Sequence, residues 1–187
     1  SNNAFGSESM MTNTTGNQNC AFGRQSLKTN NGSYNNGFGH QTLELNTTGT
    51  QNQAFGLNAL YANTTGSYNS AFGHAALTSN TTASYNTAVG DQCLGVCTTG
   101  ANNTAVGARA LDALTTANNN TSIGYSSNSG RTTGNDNTAV GAYCMNAAAT
   151  ADNNTAVGKS AMHDLTTGSE NVAVGLNALF ALTTGYN

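Results

Sequence analysis

Four cysteines, three histidines and eight carboxylates are the residues of this 187-residue chain that could carry nucleophilic, metal or acid–base chemistry. The cysteines are Cys20, Cys93, Cys97 and Cys144. Cys93 and Cys97 are close enough in sequence to bridge, or they serve as small packing residues in place of Ala or Ser. A Cys-x-x-x-Cys with no second pair does not make a zinc site. Of the histidines His40, His74 and His163, His40 and His74 share a repeat position two units apart, which in stacked repeats is roughly 10 Å and too far to share one ion within a chain. No Ser-His-Asp or Cys-His grouping recurs, and Asp152 and Asp164 have no partner acid in register. Gly134-Asn135-Asp136-Asn137 offers oxygen ligands for calcium, yet the glycine-aspartate nonapeptide of calcium-binding rolls is missing. The expectation is therefore no enzyme, no cofactor and no metal.

What positions all these residues is a repeat. Asn-x-Ala-(Phe/Val)-Gly, with Gly37 for alanine in one copy and Ser122-Ile123 for Ala-(Phe/Val) in another, recurs with its last glycine at 6, 23, 39, 56, 73, 90, 107, 124, 141, 158 and 175, so the spacing is 17 except for one step of 16. The short step falls where Asn30-Asn31-Gly32 replaces the usual Asn-Thr-Thr-Gly. Eleven copies fill residues 1–187 as one repeat domain. Asparagine, threonine and glycine occupy 81 positions, proline and tryptophan none, and only 7% of residues are charged, against about 25% in ordinary soluble proteins. A net charge of -3, thinly spread, provides no basic stripe for nucleic acid or an anionic membrane. No run approaches the roughly 18 apolar residues of a membrane span, and no signal-peptide pattern opens the chain. The chain reads as soluble, or as a processed part of something longer.

Each repeat holds a short alternating run rich in β-branched types and bounded by glycine and Thr-Thr-Gly turns, which predicts a strand. Ala-Leu-x-x-Leu-Thr-Thr-Gly is too short for an independent helix and predicts a second short strand or an irregular arc. Two apolar anchors per repeat close a core only if repeats stack. The expected fold is all-β: a β-solenoid of eleven roughly 17-residue coils with two or three strands each, a rod of roughly 50 Å at about 4.8 Å per coil. At that spacing Cys93 and Cys144, three coils apart, cannot bridge. The expected core is the residue before each glycine (Phe22, Phe55, Phe72, Val89, Val106, Ile123, Val140, Val157, Val174) together with the leucine four residues after it (Leu60, Leu77, Leu111, Leu179). Asn19, Asn52, Asn69, Asn86, Asn103, Asn120, Asn137, Asn154 and Asn171 recur at one position. An amide donates and accepts at once, so such a column can bond head to tail as a structural ladder. A charge in a column would meet its own copy, which explains their scarcity. Alanines before the Phe/Val column, such as Ala88 and Ala105, form a line of small side chains suited to close approach by another chain, and motivate a parallel homotrimer with that line near the axis; the alternative is a self-contained monomeric coil that fills its own interior. Tyr68 and Tyr85 stand one period apart, able to meet sugar rings or to stack on each other. Sequons such as Asn46-Thr47-Thr48 and Asn63-Thr64-Thr65 follow from composition alone.

Asn-Thr-Ala-Val-Gly followed by Ala-Leu and Leu-Thr-Thr-Gly resembles the short repeats in shafts of bacteriophage tail fibres, often found upstream of an endosialidase-type self-cleaving chaperone domain. More distantly it is similar to the Asn-Ser-Val-Ala-Ile-Gly repeats of YadA-like heads in trimeric autotransporter adhesins, which form left-handed parallel β-rolls. The period of 17 is longer than the adhesin repeat, and a polar residue usually occupies that motif's first apolar position. The resemblance spans all eleven units and implies an extended trimeric structure at an extracellular or virion surface, supporting attachment to a cell-surface glycan or other receptor. An alternative is the subunit of a head-to-tail extracellular filament, since Gly185-Tyr186-Asn187 followed by Ser1-Asn2-Asn3-Ala4 rebuilds the motif with one extra residue. Ice-binding and carbohydrate-binding solenoids are further alternatives; the adjacent threonines of Thr64-Thr65 point to opposite sides and leave one column facing outward.

Overall fold

The structure, a computed structural model, describes residues 1–187 apart from 131, 132, 148, 149, 186 and 187. Its eleven strands, each three residues long, run from Asn3–Phe5 to Val172–Val174 and form one sheet in strict chain order. Every neighbouring pair is parallel, and the register matches the repeat: Thr87, Ala88 and Val89 lie beside Thr104, Ala105 and Val106. The chain is a parallel β-solenoid with no helix among the described residues.

The 16-residue coil keeps the same register, with Cys20, Ala21 and Phe22 beside Asn36, Gly37 and Phe38. Its lost residue is absorbed in the turn. The Asn31 side-chain oxygen accepts the Thr14 N–H at 2.8 Å, where longer coils use a backbone carbonyl, as in Thr47 N–H to Thr64 O. The threonine hydroxyls of these turns also point along the axis, Thr64 Oγ1 donating to Thr81 O at 2.9 Å.

Among the described residues only one strand forms per coil, where two or three were expected. The reason is backbone conformation: residues two and four after each glycine, and the one before each ladder asparagine, are left-handed. Gln92, Leu94 and Asn102 have φ of 53°, 50° and 58°. A left-handed L-residue costs roughly 1–2 kcal/mol, and for leucine it is a true outlier. Bonds between coils hold the chain there, Gln92 N–H reaching back to His74 O at 2.9 Å and Leu94 N–H forward to Ala110 O at 3.0 Å. The chain thus turns three corners without losing its inter-coil bonds.

The interior also differs from expectation. Successive strand residues face opposite sides, and the inward pair is the asparagine and the alanine two residues on. Ala54, Ala71, Ala88, Ala105 and Ala156 are fully buried, opposite the equally buried Leu27, Leu43, Leu60, Leu77, Leu94 and Leu111. Phe22, Phe55, Phe72, Val89, Val106, Ile123, Val140, Val157 and Val174 therefore lie on the outer face; Phe22 is 52% exposed and Val174 71%, while Phe55, Val106 and Val140 are half-covered. Leu60, Leu77 and Leu111 are in the core, whereas Leu179, in the last coil, is 41% exposed. A coil this narrow has room for alanine and leucine, and the larger ring goes outside. The small-residue line lies inside as well, so it cannot be the contact between chains.

Glycine at the strand end is conformationally required. Gly90 has φ of 140°, and a Cβ there would sit 2.6 Å from the carbonyl carbon and oxygen of Gly107. We expect Gly90→Ala to lower unfolding stability by about 3 kcal/mol. Gln51→Gly, at an exposed corner with φ of 58°, should be neutral or stabilising by about 1 kcal/mol. Urea denaturation of the two variants checks both signs.

Candidate functional site

The most regular constellation in the molecule is the buried asparagine column. The Asn103 backbone N–H and Nδ2 donate to Asn86 Oδ1 at 2.9 and 3.2 Å, and Nδ2 also donates to Ala117 O at 2.9 Å. Asn120 repeats the arrangement on Asn103, Asn154 on Asn137 and Asn171 on Asn154. Asn19, Asn52, Asn69 and Asn86 occupy the same column, all buried. Asn86, Asn103, Asn137 and Asn154 thus each accept a backbone N–H as well as the next amide at the side-chain oxygen, so the column fastens main chain to side chain. Asn171 Oδ1, with no described coil above it, is buried without a partner.

A second buried column escaped the sequence reading. Asn30, Asn46, Asn63 and Asn80 sit seven residues after the glycine, fully enclosed. Asn63 Nδ2 donates to Asn46 Oδ1 at 2.7 Å and to Gly66 O at 2.9 Å. Asn80 does the same toward Asn63 and Ala83, at 2.7 and 3.1 Å. Asn46 and Asn63 are the asparagines of the sequons named above, and their recurrence at a fixed place before Thr-Thr-Gly was the available signal. In coils six, seven and ten the column holds Cys97, Leu114 and Leu165, which are equally buried; its positions in coils eight and nine, Arg131 and Ala148, lie outside the described residues. At the junction the Asn80 side-chain oxygen has no hydrogen-bond partner.

All four cysteines are free, so Cys93 and Cys97 do not bridge. Cys93 Sγ donates to Ala105 O and Cys97 Sγ to Gly100 O, each at 3.3 Å. Burial pushes the Cys93 thiol up to about 12, and those of Cys97 and Cys144 to about 11. A thiol in an apolar interior resists ionisation and is chemically inert.

Apart from the buried Glu44, the paired charged side chains lie at the surface beside opposite or neutral neighbours, while aromatic ones stack on their own kind. His74 Nδ1 is 2.8 Å from Asp91 Oδ1, one coil on, and both are half-exposed. Lys28 Nζ meets Glu8 at 2.7 Å, and the ammonium's hydrogen bond holds the Glu8 carboxyl below its ordinary value. His163 pairs with the adjacent Asp164 at 2.6 Å and stacks on Phe180. No group of three or more His, Cys, Asp or Glu among the described residues could hold a metal ion. Tyr68 and Tyr85 stack face to face at 4.8 Å, so each covers a face of the other. An exposed apolar feature runs the length of the sheet, the outer Phe/Val column, where Phe55 lies 4.9 Å from Phe38 and 4.8 Å from Phe72, nearly parallel. Beside it on the same outer face of the strands stand half-covered Thr87, Thr104, Thr121, Thr138 and Thr155.

No family model matches the chain, and neither does any curated protein or solved structure. No helix among the described residues is long and apolar enough to cross a membrane.

Two outcomes follow from the buried polar and thiol groups. Asn63→Leu splits the second column and leaves Asn46 Oδ1 without a donor in addition to Asn80 Oδ1, whereas Asn80→Leu only moves the unpaired oxygen one coil down. Asn63→Leu should therefore be the more destabilising by about 1–3 kcal/mol in equilibrium urea unfolding. The raised thiol values mean the folded chain binds more protons than the unfolded chain above the ordinary thiol value of about 8.5. That part of stability is complete below this value and declines as pH rises toward 11–12. At mildly alkaline pH a thiol reagent should label Cys20 in the native protein and all four cysteines only after unfolding, as mass spectrometry would read directly.

Proposed function

We propose that this chain is a structural shaft, a rigid rod that spaces or displays an attachment element at an extracellular or virion surface. Three parallel copies associate through the outer Phe/Val column. The observation that carries this reading is the unbroken line of outward apolar side chains on the sheet face, from Phe5 through Val174. A contiguous apolar patch on a solvated face marks an interaction surface, and burying one such side chain contributes roughly 1.5–3 kcal/mol. Because every coil repeats the same anchor, contact energy accumulates with length, as a fibre requires. The similarity of the repeats to tail-fibre shafts supports the same reading. In a rod of this kind the ordered side chains hold the coil together and leave no catalytic constellation, so the proposal is for a role without enzymatic activity.

Head-to-tail growth into an extracellular filament is a second reading, since stacked coils of one repeat can pair equally well between copies as within one.

Sedimentation velocity over a range of concentrations separates these readings. A trimer is expected, and combining Phe55→Ser, Phe72→Ser, Val106→Ser and Val140→Ser should return it to monomer with an unchanged far-ultraviolet circular dichroism spectrum. A wild-type monomer at every concentration would overturn the lateral shaft, and open-ended growth would establish the filament.

A further inference from the structure

The surface column five residues after each glycine is occupied by a side chain in ten coils and is vacant only at Gly95. Thr78 and Asp112 stand in the same column one coil to either side, their backbones about 9.6 Å apart at the strand spacing. The missing side chain opens a groove of about 330 Å³ between them, at the small end of the range for ligand pockets. Its floor is Ala75, Gly95 and the exposed side of Val96; its banks carry Thr78, Ser79, Gln92 and Asp112.

We infer that this groove binds a single neutral pyranose ring. A sugar ring presents a C–H face to an apolar floor and hydroxyl groups around its edge. Ala75 and Val96 supply the floor. Thr78 and Ser79 hydroxyls and the Gln92 amide can donate or accept, and the Asp112 carboxylate accepts from hydroxyl donors. Burial pushes the Asp112 carboxyl up, while Arg109 opposes that; a carboxylate already partly stripped of water makes strong hydrogen bonds to a hydroxylated ligand. A free anion is repelled by Asp112, and a single carboxylate is too few for a metal cation. The groove is preformed, because Gly95 N–H donates to Gln92 O and Gly95 O accepts from Ser79 N–H, both at 3.2 Å. It lies on a different column from the Phe/Val line, so it does not depend on the lateral assembly proposed above.

The test titrates methyl α-D-glucopyranoside, galactopyranoside and mannopyranoside, in the tens of millimolar, into isotope-labelled full-length chain. At least one should shift the backbone amide resonances of Ser79, Gly95 and Val96. Gly95→Tyr fills the groove with a residue that the same column already carries at Tyr61, two coils away, and should weaken binding by at least about tenfold; Asp112→Asn should weaken it by about tenfold, both with unchanged shifts elsewhere. Capture on immobilised glucan, galactan or mannan that Gly95→Tyr abolishes assigns the ring to a polymer, and a response to the glycosides alone assigns it to a free sugar. Unmoved amides with all three glycosides together with no capture on the three polymers, or equal binding by Gly95→Tyr and the wild type, would overturn the inference, whatever oligomeric state sedimentation finds.

Discussion

A side-chain amide that is both donor and acceptor, repeated at the spacing of a β-ladder, is the interaction on which this rod depends. Asn103 shows the full set: its oxygen receives the backbone N–H and the amide of Asn120, and its own amide reaches both Asn86 and a turn carbonyl of the next coil. A hydroxyl or a carboxylate in its place would lack either the second donor or any donor. The column is therefore a scaffold for main chain as much as a stack of side chains. It satisfies N–H groups at a corner where the strand has just begun, which would otherwise be buried without a partner.

With that corner fixed, the other sites follow. The residue before the asparagine is forced into the left-handed region, as at Tyr85 and Asn102, and the alanine two residues on faces the same interior. The phenylalanine or valine after it must face out. Leucine at a left-handed corner closes the opposite wall, its backbone cost met by bonds to coils on either side. Repetition then governs the surface, where any side chain meets its own kind one coil away. Phenyl rings and tyrosines tolerate this by stacking, and charges tolerate it only beside an opposite or neutral neighbour, as with His74 and Asp91.

Two places break the repetition, and they have different consequences. The exchange of Asn80 for Cys97 down one column strands the Asn80 side-chain oxygen, a local cost at that junction. The loss of a side chain at Gly95 costs the interior nothing and changes only the outline of the rod. Interior columns are constrained by bonds along the axis, so variation there is limited to residues of similar size. Outer columns carry little such constraint, and specific recognition on a repetitive rod can arise there from one departure in one coil.

The period of 17, its single short step and the constancy of one asparagine per unit were sufficient in the sequence to determine stacking, parallel register, the Asn19 to Asn171 ladder and burial of Leu60, Leu77 and Leu111. Those properties depend only on like residues lying over one another. Which side of the strand faces inward was decided by the tertiary structure alone: alanine and phenylalanine are both apolar neighbours, so periodicity cannot rank them, and the width of the closed coil selects the smaller. The second column, at Asn46 and Asn63, was equally hidden, because an asparagine before Thr-Thr-Gly has the composition of an exposed turn until the coil closes around it. The corners that limit each coil to one strand were hidden too, since glutamine and leucine carry no sequence mark of a left-handed backbone that only bonds to neighbouring coils can hold.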